Sequence, residues 1–160
     1  MENRHSVLLQ QLEDYRKNTL NCVENITEEE ATIVPEGFNN NIKWNLGHIY
    51  VDQFLWIQHL TKEKIELPEG FLELFNYGTK PSDWSGNVPS LDQLKQLLIG
   101  QIDFIKQNYA DTLEEEFQVT ESGMHTMAQV LVRTIFHEGL HLGAIIALKR
   151  FIKSKKTITG

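Results

Sequence analysis

Thr134-Ile135-Phe136-His137-Glu138-Gly139-Leu140-His141-Leu142-Gly143 is the stretch on which both fold and chemistry turn. Around it apolar residues recur at helical spacing, and Val130, Thr134, His137, His141, Ile145 and Leu148 fall on one stripe at intervals of three and four. A helix from about His125 to Ile152 accounts for the pattern, roughly 40 Å long at the helical rise. Two histidines four residues apart on such a helix project from one face, one turn from each other. That is the spacing at which two imidazoles can hold one divalent ion.

Three further amphipathic patterns lie upstream. The first runs from about Arg4 to Asn25, with Val7, Leu8, Leu12, Tyr15, Thr19, Cys22 and Val23 on its stripe. Thr27 with Glu30 three residues on reads as a capping box opening one short turn before Pro35. The second helix is expected from about Ile42 to Thr61, its stripe Trp44, His48, Val51 and Leu55. Ser90, with Gln93 three residues on, caps a third from about Leu91 to Tyr109. Between them, residues 62–89 are rich in Pro and Gly. A connection this long in a small protein is usually functional or a lid, and its aromatics suit packing down, with a helical turn at Phe71–Phe75. Phe117-Gln118-Val119 is too short to carry a sheet. Four amphipathic helices without a sheet partner predict an all-α fold, an antiparallel four-helix bundle occupying residues 1–160 as one domain. The long connections after the second and third helices leave room for a crossover.

Composition narrows the function. The chain has 160 residues, with 15 Lys and Arg against 22 Asp and Glu, a net charge of −7. Its basic residues gather only near the end, at Lys149, Arg150, Lys153, Lys155 and Lys156, so nucleic acid is not an expected partner. The single cysteine, Cys22, excludes an internal disulfide and fits a reducing compartment. The opening residues lack an apolar h-region, and the longest apolar run, Gly143 to Leu148, is too short to span a bilayer. A cytoplasmic protein with no membrane partner is expected.

Of six histidines, His5 sits near a terminus. His59 lies about 16 Å along its helix from His48, and His125 about 18 Å from His137, too far to share a site with either. His48, His137 and His141 remain, all on stripes that face the core. Three inward imidazoles are costly to bury without partners, and one divalent ion would satisfy them together. Zinc or nickel suits three neutral imidazoles and leaves a position open. The string His137-Glu138-Gly139-Leu140-His141 also matches the H-E-x-x-H pattern of zinc proteases. No His, Asp, Glu or Cys follows His141 to act as third ligand, and no strand is available to hold a peptide, so a protease is not expected. Glu138 stands as a possible general base toward a bound water, or as a structural carboxylate. Asp52, four residues after His48, is placed to accept an imidazole N–H.

Two motifs extend the reading. Trp44-Asn45-Leu46-Gly47-His48 and His137-Glu138-Gly139-Leu140-His141-Leu142-Gly143 resemble the DinB-like (YfiT-type) superfamily, and Lys80-Pro81-Ser82-Asp83-Trp84 is similar to a loop of one branch. The resemblance covers nearly the whole chain. It implies a four-helix bundle with a metal held by His48, His137 and His141, and a homodimer. It also implies transfer or isomerisation using a low-molecular-weight thiol such as bacillithiol. For such a thiol, Arg133 and Lys80 are candidate anchors, and Trp44, Trp56, Phe75, Tyr77 and Trp84 candidate walls. The rival readings are a non-catalytic metal-binding or stress-response bundle and a small-molecule metallohydrolase with Glu138 as base.

Overall fold

A computed structural model describes residues 3–158, with side chains through residue 154. The side chains of Lys155 and Lys156 lie outside the described residues. Among the described residues six α-helices are present: α1 (Asn3–Cys22), α2 (Glu28–Thr32), α3 (Ile42–Thr61), α4 (Phe71–Phe75), α5 (Leu91–Tyr109) and α6 (Met127–Ile158), with a 3₁₀ turn at Pro81–Asp83. No strand forms among the described residues; Glu116 and Thr126 make one isolated bridge beside a tight turn.

Local chemistry sets most of the boundaries. The Thr27–Glu30 and Ser90–Gln93 capping boxes are both formed, each pair satisfying two amide donors that a helix start leaves open. Asn41 caps α3 by accepting from the Trp44 amide at 2.8 Å. At the start of α6, the Gln129 side chain takes the amides of His125 and Thr126, so the helix begins at Met127 rather than His125. With no glycine or proline to stop it, α6 runs past Ile152 to Ile158.

Helix α1 packs on α5 and α6, and α3 packs on the same two, which leaves α1 and α3 at opposite corners of a four-helix bundle. Side-chain pairs give the directions. Along α1 and α6, His5 lies near the α6 start through Glu114, Arg16 meets Glu138, and Cys22 meets Lys149, so these two run the same way. Along α3 and α6, Asn45 meets His141 and Gln53 meets Thr134, so these run oppositely. Along α3 and α5, Tyr50 meets Gln101 and Glu63 meets Tyr109, again the same way. The order is therefore up-down-down-up, and residues 62–90 are the crossover that returns the chain along the bundle.

The shared core is aliphatic, with Leu12, Leu46, Ile49, Ile57, Leu94, Leu98 and Ile105 fully enclosed. Helix α1 turns differently from the expected stripe: Val7 and Tyr15 are exposed, while Leu9, Leu12, Arg16 and Thr19 face inward. Over Met127–Ser154, α6 is long and apolar enough by length and composition to cross a membrane, whereas Gly143–Leu148 alone is not. Its polar residues Thr134, His137, Glu138 and His141 are all engaged with α1 or α3.

Candidate metal centre

Helix α3 enters the site through a glycine. A Cβ built on Gly47 would fall 2.3 Å from the Phe75 ring, so the absent side chain is what lets α4 lie against the α3 backbone. That approach brings the Phe75 carbonyl 2.7 Å from His48 Nδ1. Trp44, one turn earlier, stacks on the His48 ring at 4.6 Å and 12°, and its indole N–H donates to Thr79 at 2.9 Å. The crossover thus builds one wall of the site. Phe75 and Trp84 pack down as expected, whereas Tyr77 is 90% exposed and walls nothing.

His48, His137 and His141 come together, their coordinating nitrogens within 4.8 Å of one another. Each imidazole is oriented by an oxygen. His141 Nδ1 lies 2.8 Å from Asn45 Oδ1, and the Asn45 amide is fixed in that sense because its Nδ2 donates to the Asn41 carbonyl at 2.8 Å. His137 Nδ1 lies 3.1 Å from the Asp52 carboxylate. The Phe75 carbonyl and the Asn45 amide oxygen can only accept, so His48 and His141 carry their proton on Nδ1 and leave an Nε2 lone pair, while His137 Nδ1 faces the Asp52 carboxylate. The His137 and His141 Nε2 atoms face each other at 3.2 Å. That contact is satisfied either by an Nε2–H of His137 donating to His141 or by a cation between the two nitrogens. Two ligands of a tetrahedral zinc would stand roughly 3.4 Å apart.

The electrostatics agree. Burial pushes His48 below its ordinary value, against the raising effect of the Phe75 carbonyl and Asp52. Burial does the same to His137, with Asp52 opposing it and His48 adding to it. His141 is pushed down to about 3 by burial first and then by the neighbouring imidazoles. Such groups stay neutral at neutral pH, the state in which imidazole binds a metal.

Beyond the ring of ligands, Asp52 also accepts from Arg133 at 2.9 Å, and the Arg133 guanidinium lies 3.9 Å over the Trp56 ring. Lys80 stands apart, 3.9 Å from Asp83 and half exposed.

Glu138 does not point to this site. Its carboxylate accepts from Arg16 Nε at 2.9 and 3.1 Å and from Thr19 Oγ1 at 2.7 Å. Arg16 also donates to the Leu98 carbonyl at 2.5 Å, Gln53 at 3.0 Å and Gln101 at 3.2 Å. Both charged residues are 2% exposed. A general-base role for Glu138 is thereby corrected: one turn position away from His137 around the helix, it faces α1 and is held by a buried cation. Arg16, Asn45, Gly47 and the Phe75 carbonyl were not assigned by sequence reasoning. For Asn45 and Gly47 the signal was present in the Trp44–His48 motif; for Arg16 there was none.

The model of the DinB superfamily matches residues 11–145. The chain belongs to that superfamily. It also superposes on a crystal structure of a conserved protein from Enterococcus faecalis, with a TM-score of 0.71 over 96% of this chain and 99% of the other at 16% identity, a likeness of fold. No curated protein matches the chain in sequence. As a DinB superfamily member with three convergent imidazoles, the protein carries a group that could hold a metal ion.

Proposed function

We propose that this DinB superfamily protein binds one divalent ion, zinc or nickel, through Nε2 of His48, His137 and His141, and uses it as a thiol S-transferase toward small electrophiles. The observation that carries the metal reading is the convergence of one nitrogen from each of three imidazoles within 4.8 Å, with the His137 and His141 Nε2 atoms 3.2 Å apart. The thiol reading rests on the superfamily resemblance and on the coordination position that three imidazoles leave open.

The bound ion would supply the positive charge that lets a low-molecular-weight thiol such as bacillithiol lose its proton near neutral pH. The residues of the chain do the rest. Asn45 and the Phe75 carbonyl hold His141 and His48 with Nε2 free, and the Asp52 carboxylate lies beside His137 Nδ1. Trp44 covers the His48 ring and keeps water from that side. Arg133, steadied by Asp52 and Trp56, brings a cation close to the site where an acidic thiol could be anchored. The sulfur then forms a bond to the electrophilic carbon, and the leaving group departs with the bonding pair. We take the protein to act in the cytoplasm as a homodimer, for which the exposed Val132, Phe136 and Leu140 on α6 offer an apolar strip.

A second reading has a specific observation behind it: the three histidines join α3 to α6, so an ion there would also staple the bundle without catalysis. The hydrolase reading has lost its base to Arg16. Nickel-loaded protein separates the two that remain. Transferase function predicts a sulfur-to-nickel charge-transfer band on adding bacillithiol, and conjugation of a model electrophile that is lost in His48→Ala. A staple predicts neither, and a bundle that unfolds when the ion is chelated.

A further inference from the structure

On the side of α3 away from the histidines, a groove of about 970 Å³ opens between α3, α5 and the start of the crossover. It is of the size that takes a small organic molecule. None of its lining residues is a histidine of the metal centre or an acceptor for one.

Five aromatic rings run along it in an unbroken edge-to-face chain. Phe71 meets Tyr50 at 5.8 Å, Tyr50 meets Phe54 at 5.0 Å, Phe54 meets Phe104 at 5.3 Å and Phe104 meets Tyr109 at 6.3 Å. Such a wall suits a flat apolar body, and ring faces also attract organic cations. The charge around it is one-sided. Glu63, Glu66 and Asp92 line the groove against one lysine, Lys64, which is already paired with Glu66 at 2.6 Å. Asp92 is paired with Lys95. Glu63 accepts only from the Tyr109 hydroxyl, at 3.3 Å, and has no cationic partner among the described residues. Tyr109 stays a phenol there, since burial and the Glu63 charge push it up to about 12.

One glycine lines the groove. Gly100 sits inside α5, where glycine costs about 1 kcal/mol relative to alanine. No turn, left-handed backbone or close approach calls for it: a Cβ there would meet nothing within 4 Å. A longer side chain at this position would enter the groove that Gly100 lines.

We infer that this groove is a second ligand site, for a small organic cation whose flat apolar body lies along the aromatic wall with its positive charge at Glu63.

The test uses the full chain and two dyes of opposite charge, cationic 9-aminoacridine and anionic 1-anilinonaphthalene-8-sulfonate, titrated by fluorescence and calorimetry. Expected is one saturable 9-aminoacridine site per chain, with the anionic dye at least about tenfold weaker. Gly100→Met should weaken the cation at least about tenfold by filling the groove. Helical circular dichroism and the melting curve check that its fold is kept. Glu63→Gln, at an exposed position with no packing role, should weaken it by about threefold, the scale of one exposed charge pair. His48→Ala should leave it unchanged. Absence of saturable binding, equal binding by Gly100→Met, or loss in His48→Ala would overturn the site. Equal affinity for the anionic dye, or an indifferent Glu63→Gln, would overturn its assignment to a cation.

Discussion

His137 and Glu138 are neighbours in the chain and belong to two polar clusters built on opposite principles. Around Glu138, each partner is matched within the protein: Arg16 places four N–H groups on Glu138, Gln53, Gln101 and the Leu98 carbonyl, and Thr19 completes the carboxylate. Around His137, three imidazole nitrogens converge within 4.8 Å, and His48 and His141 spend their Nδ1 protons on oxygens and keep an Nε2 lone pair each. The first cluster ties α1, α3, α5 and α6 together. The second is a group that could hold a metal ion.

The largest effect should come from breaking the matched cluster. Glu138→Ala leaves the Arg16 guanidinium buried without its counter-charge and should destabilise by about 3–5 kcal/mol in chemical denaturation. Arg16→Met combined with Glu138→Leu should recover much of that loss, because it removes both charges rather than one. If Glu138→Ala is instead neutral for stability and abolishes turnover, the division between the two clusters is wrong.

Gly47→Ala probes the join between crossover and site. The added methyl falls inside the Phe75 ring, and overpacking of this kind costs about 1–3 kcal/mol. Displacing α4 also withdraws the Phe75 carbonyl from His48, so metal affinity should fall together with the melting temperature. Unchanged affinity in a destabilised variant would detach α4 from the site.

Asp52→Asn tests the orientation of His137. With the carboxylate gone, metal affinity measured by competition with a chelator should drop by about 10- to 100-fold, and the apo fold should hold. An equal affinity would mean that Asp52 serves only Arg133.

Much of this was legible in the sequence, and the reasons it stopped where it did are physical. The pair His137 and His141 and the stripe through His48 are local patterns set by helical spacing, and the structure brings those three residues together. Both capping boxes are local too, and both form. What was missed depends on distant segments meeting. Arg16 reads as a surface residue until Glu138, 122 positions away, is brought against it, and the inward face of α1 turns accordingly. Glu138 stays open between general base and structural carboxylate for as long as that arginine is out of sight. Gly47 has no evident purpose until α4 crosses over it.

The smallest predicted effect is a dependence on pH. His48, His137 and His141 all titrate lower in the folded protein than in the unfolded chain, His141 down to about 3 from an ordinary 6.5. Between those limits the unfolded chain binds protons that the folded one refuses, so metal-free stability should be fully present above about pH 6.5 and fall on acidification. The slope of denaturant-unfolding free energy against pH should be reduced in His141→Ala. A slope unchanged by that substitution would place the acid sensitivity elsewhere.

The central claim is that the three converging imidazoles hold a divalent ion. The direct measurement is metal content per chain, by elemental analysis of protein purified without a histidine tag, beside the triple variant His48→Ala, His137→Ala, His141→Ala. The account predicts close to one zinc or nickel per chain in the wild type, or after reconstitution, and none in the variant. A wild type that takes up no ion when offered either metal, or a variant that takes up as much, would contradict it.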